Sequence, residues 1–122
     1  MSQEISTAHF SHNELKCRCC GANKMDQEFL IALERIRETY GSAMQLTSAF
    51  RCKAHNQASG GSKFSGHLLG KAVDIFCMDS RLRDRIFRSI VNEPAIRGYY
   101  VTPRFIHIDT KPRAHRAFFT RS

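Results

Sequence analysis

The segment from Ser65 to Asp74, Ser-Gly-His-Leu-Leu-Gly-Lys-Ala-Val-Asp, constrains the fold most, because it places a histidine and a carboxylate seven residues apart with a glycine between them. Residues 72–77 form an apolar run, which predicts a strand that contains Asp74, whereas His67 precedes a turn. A carboxylate among apolar side chains is costly unless a cation or a metal ion pairs with it. We therefore expect His67 and Asp74 to share a polar site at the start of a buried strand.

A second polar pattern occurs in residues 105–109, Phe-Ile-His-Ile-Asp. Side chains at positions i and i+2 of a strand share a face, so His107 and Asp109 are predicted to point to the same side. Catalytic zinc sites take three protein ligands and keep the fourth position for water. His67, Asp74 and His107 make such a set. Ligand chemistry alone leaves manganese or iron open, because two histidines and a carboxylate also form the facial triad of non-haem iron enzymes.

Together these patterns resemble the zinc D-Ala-D-Ala carboxypeptidase and murein endopeptidase family, especially its short phage-like members. The motifs that carry the resemblance are Ser-x-His-x-x-Gly-x-Ala-x-Asp at 65–74 and Phe-Ile-His-Ile-Asp at 105–109. Other segments fit the same pattern in order: Cys-Arg-Cys-Cys-Gly at 17–21, Thr-Ser-Ala-Phe-Arg-Cys at 47–52, His55-Asn56, and Gly60-Gly61. We expect residues 1–122 to form a single zinc peptidase domain with a core of about residues 9–113.

The resemblance implies one zinc ion, held by His67, Asp74 and His107, and a peptidase that cuts peptidoglycan stem peptides or cross-links. It leaves open whether a terminal residue is removed or an internal bond is cut. Zinc in such a site lowers the pKa of its bound water to about 7 and polarises the scissile carbonyl. Related enzymes carry a carboxylate or a histidine two or three residues before the last ligand, but this chain has Phe105 and Arg104 there.

Asp109 is the remaining candidate for the general base, and its alternative role is to orient a ligand imidazole or to pair with Arg51 or Arg113. The resemblance places Arg51 near the substrate, where a guanidinium suits a peptide carboxylate or a developing oxyanion. The alternative for Arg51 is an ordinary surface arginine. Ser65 is a candidate for substrate binding or for bracing the loop that carries His67.

Hydrophobic periodicity predicts two main helices. One covers residues 26–40, where apolar residues recur at spacings of three and four and Gly41 follows. The other begins at Asp79 or Ser80 and ends before Pro94. Residues 44–51, 72–77, 98–102 and 105–109 are predicted strands, and residues 53–70 a long loop. We expect an α+β fold in which a small antiparallel sheet carries the zinc ligands and packs against the two helices.

The charge balance indicates an attraction to polyanions, since the net charge is +8 and the sequence pI is about 9.7. Residues 1–9 lack an apolar core, and no run approaches transmembrane length. We expect a monomer that is made in the cytoplasm, inserts in no membrane, binds no nucleic acid, and meets the cell wall after release, as in phage or prophage lysis. The alternatives are a basic nucleic-acid-binding module and a non-catalytic, zinc-containing phage structural or wall-binding domain.

Five cysteines occur, and Cys17, Cys19 and Cys20 are clustered. The odd number and the clustering make a simple disulfide framework unexpected, and the role of Cys77 stays open. Together with Cys52, the cluster is interpreted either as a structural metal site or as a buried packing cluster of thiols, and the packing interpretation is preferred.

Overall fold

A five-stranded sheet forms the centre of the computed structural model, which describes residues 4–61, 65–112 and, as backbone, 117–120. Its strands are β1 (Leu46–Ser48), β2 (Ala72–Phe76), β3 (Gly98–Val101), β4 (Phe105–Asp109) and β5 (Ala117–Thr120). Their spatial order is β1-β2-β4-β3-β5. The pairs β1–β2, β2–β4 and β4–β3 are antiparallel, and β5 pairs parallel to β3. The predicted α+β fold with a small antiparallel sheet is confirmed, whereas the edge strand β5 was not predicted.

The central strands bring the two polar patterns of the sequence side by side. In the β2–β4 pair, Asp74 lies opposite His107 and Ala72 lies opposite Asp109. On the other side of β4, Tyr100 of β3 lies opposite His107. Residues directly opposite one another on antiparallel strands have neighbouring side chains, so this register alone places a carboxylate, an imidazole and a phenol ring in one row.

Two main helices complete the fold, as predicted. They are α2 (Gln27–Tyr40), which Asp26 caps and Gly41 terminates in a left-handed conformation, and α4 (Ser80–Val91), which Asp79 caps. Their buried residues join those of the sheet in one hydrophobic core, which includes Phe29, Leu33, Ile36, Ile75, Ile86, Ile90, Ile106 and Ile108. Each such side chain contributes about 1.5–3 kcal/mol by leaving water.

Two sequence expectations are wrong in detail. The predicted loop 53–70 contains a helix, α3 (Lys53–Ala58), because the Sγ of Cys52 accepts a hydrogen bond from the amide of His55 and caps the first turn. The predicted strand 44–51 is paired only over β1, because the following backbone turns away from β2. There the Phe50 amide donates to the Leu15 carbonyl, and the Arg51 amide donates to the His67 carbonyl.

Among the described residues, no helix combines the length and the apolar character that crossing a membrane requires. A short first helix, α1 (His12–Leu15), begins with a capping box of Ser11 and Glu14.

Candidate active site

Three potential metal ligands meet beside the middle of the β2–β4 pair, where Asp74 lies opposite His107. The Nε2 of His67 lies 3.2 Å from the Oδ1 of Asp74, and the Nδ1 of His107 lies 2.9 Å from the same oxygen. The three ligand atoms are all within 4.8 Å of one another, and all three residues are buried. The structure therefore brings together the set that the sequence predicted.

A glycine-dependent turn places His67 in this group. The turn spans residues 66–70, and Gly70 within it has a φ of 69°, in the left-handed region that favours glycine. The Gly70 carbonyl accepts a hydrogen bond from the Asp26 amide at 2.9 Å. A Cβ at Gly70 would lie 2.1 Å from the carbonyl oxygen of Lys24, so no larger residue fits. The turn is thus held against the segment that precedes α2.

Ser65 lies at the start of the same turn. Its hydroxyl oxygen accepts a hydrogen bond from the His67 amide at 3.2 Å. This contact supports the bracing role for Ser65, and its substrate-binding role stays a prediction.

Both imidazoles are oriented by an acceptor on the side away from Asp74. The Nδ1 of His67 lies 2.7 Å from the carbonyl oxygen of Ala49, and a carbonyl can only accept, so Nδ1 carries the proton. The Nε2 of His107 lies 3.0 Å from the Oδ2 of Asp109, which holds a proton on Nε2. The second ring nitrogen of each histidine therefore faces Asp74. This is the arrangement that metal-binding histidines require.

Both carboxylate oxygens of Asp109 accept hydrogen bonds within the protein. One carboxylate oxygen accepts from His107, and the other accepts from the Lys111 amide at 3.2 Å. Asp109 is 3% exposed. These contacts favour the role of orienting the His107 imidazole, while the general-base role stays a prediction. Arg113, which the sequence offers as a partner for Asp109, lies outside the described residues.

The electrostatics of the cluster favour an ionised Asp74. Burial alone would raise the pKa of Asp74, but hydrogen bonds with His107 and His67 outweigh burial and lower that pKa far below its usual range. Burial likewise disfavours the charged form of His107, yet its hydrogen bonds with Asp109 and Asp74 raise the pKa of His107. Such a buried anion is stable only beside a positive charge, whether a proton on the histidines or a metal ion.

Arg51 supplies a further positive charge at this point. Its Nη2 lies 3.5 Å from the Oδ2 of Asp74, and its Nε donates to the Ser48 hydroxyl at 3.0 Å. The Arg51 side chain is 16% exposed, so it is not an ordinary surface arginine. It faces Asp74, not Asp109.

A cleft of about 660 Å³ opens beside the cluster. Its lining residues include Arg51, Arg104, Tyr100, Phe105 and Asp74. The Tyr100 ring stacks on the His107 ring, with centroids 4.5 Å apart and planes 10° apart. Neither Tyr100 nor Arg104 was predicted from the sequence to line the cleft. The strand signal at residues 98–102 could have suggested Tyr100, but only the register with β4 places it on His107.

The donor set fits a zinc ion. Two imidazole nitrogens and one carboxylate oxygen are a known three-ligand set for catalytic zinc, and each ring here has its outer N–H bound to a protein acceptor. The buried carboxylate between them, with its strongly lowered pKa, is the group that a divalent cation would neutralise.

Comparison with known proteins agrees with this chemistry. A search of the curated proteins finds no match to the chain. The model of the Peptidase M15 family matches residues 8–109, a range that contains all three potential ligands, Arg51 and Asp109. Since this match covers most of the 122 residues, the chain belongs to the M15 peptidases, the family of zinc D-Ala-D-Ala carboxypeptidases.

Proposed function

We propose that this M15 peptidase uses one zinc ion, held by His67, Asp74 and His107, to hydrolyse peptide bonds in peptidoglycan stem peptides or cross-links. The observation that carries the proposal is the convergence of three buried ligand atoms beside an open cleft. Membership of the family implies a peptide as the substrate. The choice of peptidoglycan follows from the resemblance of the two motifs and from the chemistry of the cleft.

The cleft is suited to an anionic peptide. Arg51 and Arg104 contribute two guanidinium groups, which bind carboxylates with two parallel hydrogen bonds. Stem peptides carry free carboxylates, so this pair can align the chain with respect to the ligand cluster. Tyr100 and Phe105 provide apolar walls for small side chains such as methyl groups. The net charge of +8 supports attraction to the anionic wall as a whole.

The residues around the ligand cluster orient the ligands and stabilise charge during hydrolysis. Zinc held by His67, Asp74 and His107 would supply a water of lowered pKa and an electrophile for the carbonyl oxygen. Asp109 holds the proton on the Nε2 of His107, and Ala49 holds the proton on the Nδ1 of His67. Arg51 lies beside Asp74, where its guanidinium can also stabilise negative charge on the carbonyl oxygen of the substrate.

A second candidate function is a non-catalytic domain with the same fold. Phe105 and Arg104 stand where related enzymes carry a carboxylate or a histidine, and both line the cleft without offering a base. This departure favours, as the alternative, a zinc-containing domain that binds wall peptides without cutting them.

The test is to incubate zinc-loaded protein with purified peptidoglycan and to weigh the released fragments by mass spectrometry. We expect fragments with new amine termini from the wild type and none from His107→Ala. Arg88→Ala is the matched control, because the Arg88 side chain is 76% exposed on α4 and contacts only Asp84 in the described salt bridges. Chelation of the wild type, followed by return of zinc, repeats the comparison without a substitution.

Two results would contradict the catalytic proposal. One is a wild type that holds zinc and releases no fragment from walls of several chemotypes, which would favour the binding domain. The other is turnover that survives both His107→Ala and chelation, which would mean that this cluster is not the catalytic centre.

A further inference from the structure

A second group of potential metal ligands lies apart from the cleft. The Sγ atoms of Cys17, Cys20 and Cys52 are all within 4.8 Å of one another, and we call these three residues the thiol cluster. None of the cysteines forms a disulfide in this structure. Sulfurs around a tetrahedral zinc ion, at about 2.3 Å from it, are about 3.8 Å apart, so only a small approach would close the thiol cluster around such an ion.

A tight turn brings two of the thiols together. Cys17 and Cys20 are separated by two residues, the shortest spacing at which structural zinc sites pair their cysteines. The Gly21 amide donates to the Cys17 carbonyl at 2.9 Å, and the Cys17 amide donates to the Ala22 carbonyl at 2.6 Å. Gly21 has a φ of 78°, which closes the turn in a conformation that favours glycine.

The third thiol comes from the beginning of α3. The Cys52 amide donates to the Sγ of Cys17 at 3.3 Å, and the Sγ of Cys52 accepts from the His55 amide at 3.4 Å. Amide donors directed at sulfur stabilise a thiolate, which is the form that binds a metal.

Packing does not account for this group. Cys17 is buried and Cys52 is partly buried, but Cys19 and Cys20 are exposed. Exposed thiols contribute little to a hydrophobic core. The preferred sequence interpretation, a buried packing cluster, therefore does not describe the two exposed members.

We propose that Cys17, Cys20 and Cys52 bind a second, structural zinc ion, independent of the proposed catalytic one. Three cysteine sulfurs from two segments of chain are the donor set of a structural zinc site. Cys19 is not among the three thiols that lie within 4.8 Å of one another, but its exposed thiol in the same turn is the candidate for the fourth ligand of a tetrahedral site. The ion would tie the turn at residues 17–21 to the start of α3. Since Arg51 directly precedes Cys52, the ion would also anchor the backbone that presents Arg51 to the cleft.

The first experiment counts metal in protein purified under a thiol reductant, supplied with zinc and then dialysed. We expect two zinc ions per chain in the wild type, one in Cys20→Ser and one in His67→Ala. Cys77→Ala is the matched control and keeps two, because Cys77 is not one of the cysteines whose sulfurs meet in the thiol cluster. Cys20 is exposed, so Cys20→Ser has no packing reason to misfold.

The second experiment replaces zinc with cobalt(II) and records the absorption spectrum. Thiolate ligands give sulfur-to-cobalt charge-transfer bands in the near ultraviolet, whereas imidazole and carboxylate ligands give none. We expect these bands in the wild type and in His67→Ala, and we expect Cys20→Ser to lose them. This readout is independent of catalysis, so failure of the peptidase proposal leaves it intact.

Three results would overturn the proposal of a second zinc ion. The first is a wild type that retains one zinc ion after dialysis and shows no charge-transfer band. The second is a zinc content that Cys20→Ser and Cys52→Ser leave at the wild-type value. The third is a disulfide between members of the thiol cluster, mapped in protein isolated without reductant, that forms whether or not zinc is supplied.

Discussion

The ligand cluster of His67, Asp74 and His107 and the thiol cluster of Cys17, Cys20 and Cys52 differ in what holds their ligands in place. The first is buried, and its members are positioned by paired strands, a backbone-locked turn and hydrogen-bonded imidazoles. The second ranges from a buried Cys17 to an exposed Cys20, and it lies where a five-residue turn meets the start of a helix. The first cluster is organised by the fold before any ion binds. The second is less enclosed, and the proposed structural ion would tie its turn to the start of the helix.

The largest expected difference between the two regions is in the stability that is lost when a glycine in each turn is replaced by alanine. Gly70→Ala should lower the free energy of unfolding by about 3 kcal/mol or more, because a Cβ there meets the backbone of residues 24–26 in addition to an unfavourable φ. Gly21→Ala should cost about 1 kcal/mol, since its φ is similar but no atom lies within 4 Å of the added Cβ. Urea unfolding of both zinc-loaded variants checks this. Equal losses would show that the turn carrying His67 is no more tightly fixed than the turn of the thiol cluster.

The next largest effect is expected on zinc affinity, which depends on the orientation of the imidazoles in the ligand cluster. Asp109→Asn should weaken zinc binding about 10–100-fold, because the His107 ring loses its ionised hydrogen-bond acceptor. Competition with a chromogenic chelator measures the affinity, and turnover at saturating zinc is measured in parallel. If affinity is unchanged while turnover collapses, Asp109 is the general base and its orienting role is wrong.

A smaller effect is expected in the cleft that opens beside the ligand cluster. Arg104→Ala should raise KM about tenfold with little change in kcat, because a charged hydrogen bond to the substrate is lost in the ground state and the transition state alike. Arg88→Ala is the control for the loss of one positive charge. The measurement is steady-state hydrolysis of a soluble stem peptide. A fall in kcat with unchanged KM would instead place Arg104 at the reacting carbonyl.

The smallest effect concerns the N-terminal segment that leads to the thiol cluster. Glu34 of α2 holds this segment by accepting from the His9 amide and ring and from the Thr7 hydroxyl. Burial would raise the pKa of Glu34, but these hydrogen bonds outweigh it and lower that pKa. The contribution of Glu34 is therefore present above the ordinary glutamate pKa of about 4.3 and is lost as the pH falls through the lower, folded value.

Glu34→Gln should accordingly lower stability by about 1 kcal/mol at neutral pH, and the difference from the wild type should shrink below about pH 4. Urea unfolding across this pH range measures both quantities. A difference that stays constant with pH would mean that the ionised form of Glu34 is not what holds the segment.

Much of the buried cluster could be predicted because its signals are local. An aspartate inside an apolar run needs a partner, and the alternation of residues 105–109 puts His107 and Asp109 on one face, as the 3.0 Å contact confirms. The two main helices were predictable for the same reason, since their periodicity lies within one segment. Helix α3 was not, because six residues with one buried position carry no periodic signal.

The thiol cluster shows a different limit. The spacing of Cys17 and Cys20 is visible in the sequence, but whether a distant thiol joins them depends on how the chain returns. Cys52 reaches them because two hydrogen bonds hold the backbone that follows β1. The Phe50 amide donates to the Leu15 carbonyl, and the Cys52 amide donates to the Cys17 sulfur. Such contacts join residues 35 positions apart, and no local pattern encodes them.

The sequence by itself determined the local features of this protein: the candidate ligands, the glycine at position 70 and the two helices that pack on the sheet. Only the tertiary structure decided how these groups meet. The pairing of β2 with β4 sets Asp74 opposite His107, and the pairing of β3 with β4 lays Tyr100 on the same ring. The physical reason is that periodicity and capping depend on neighbours in sequence, whereas strand register depends on the packing of segments that are far apart along the chain.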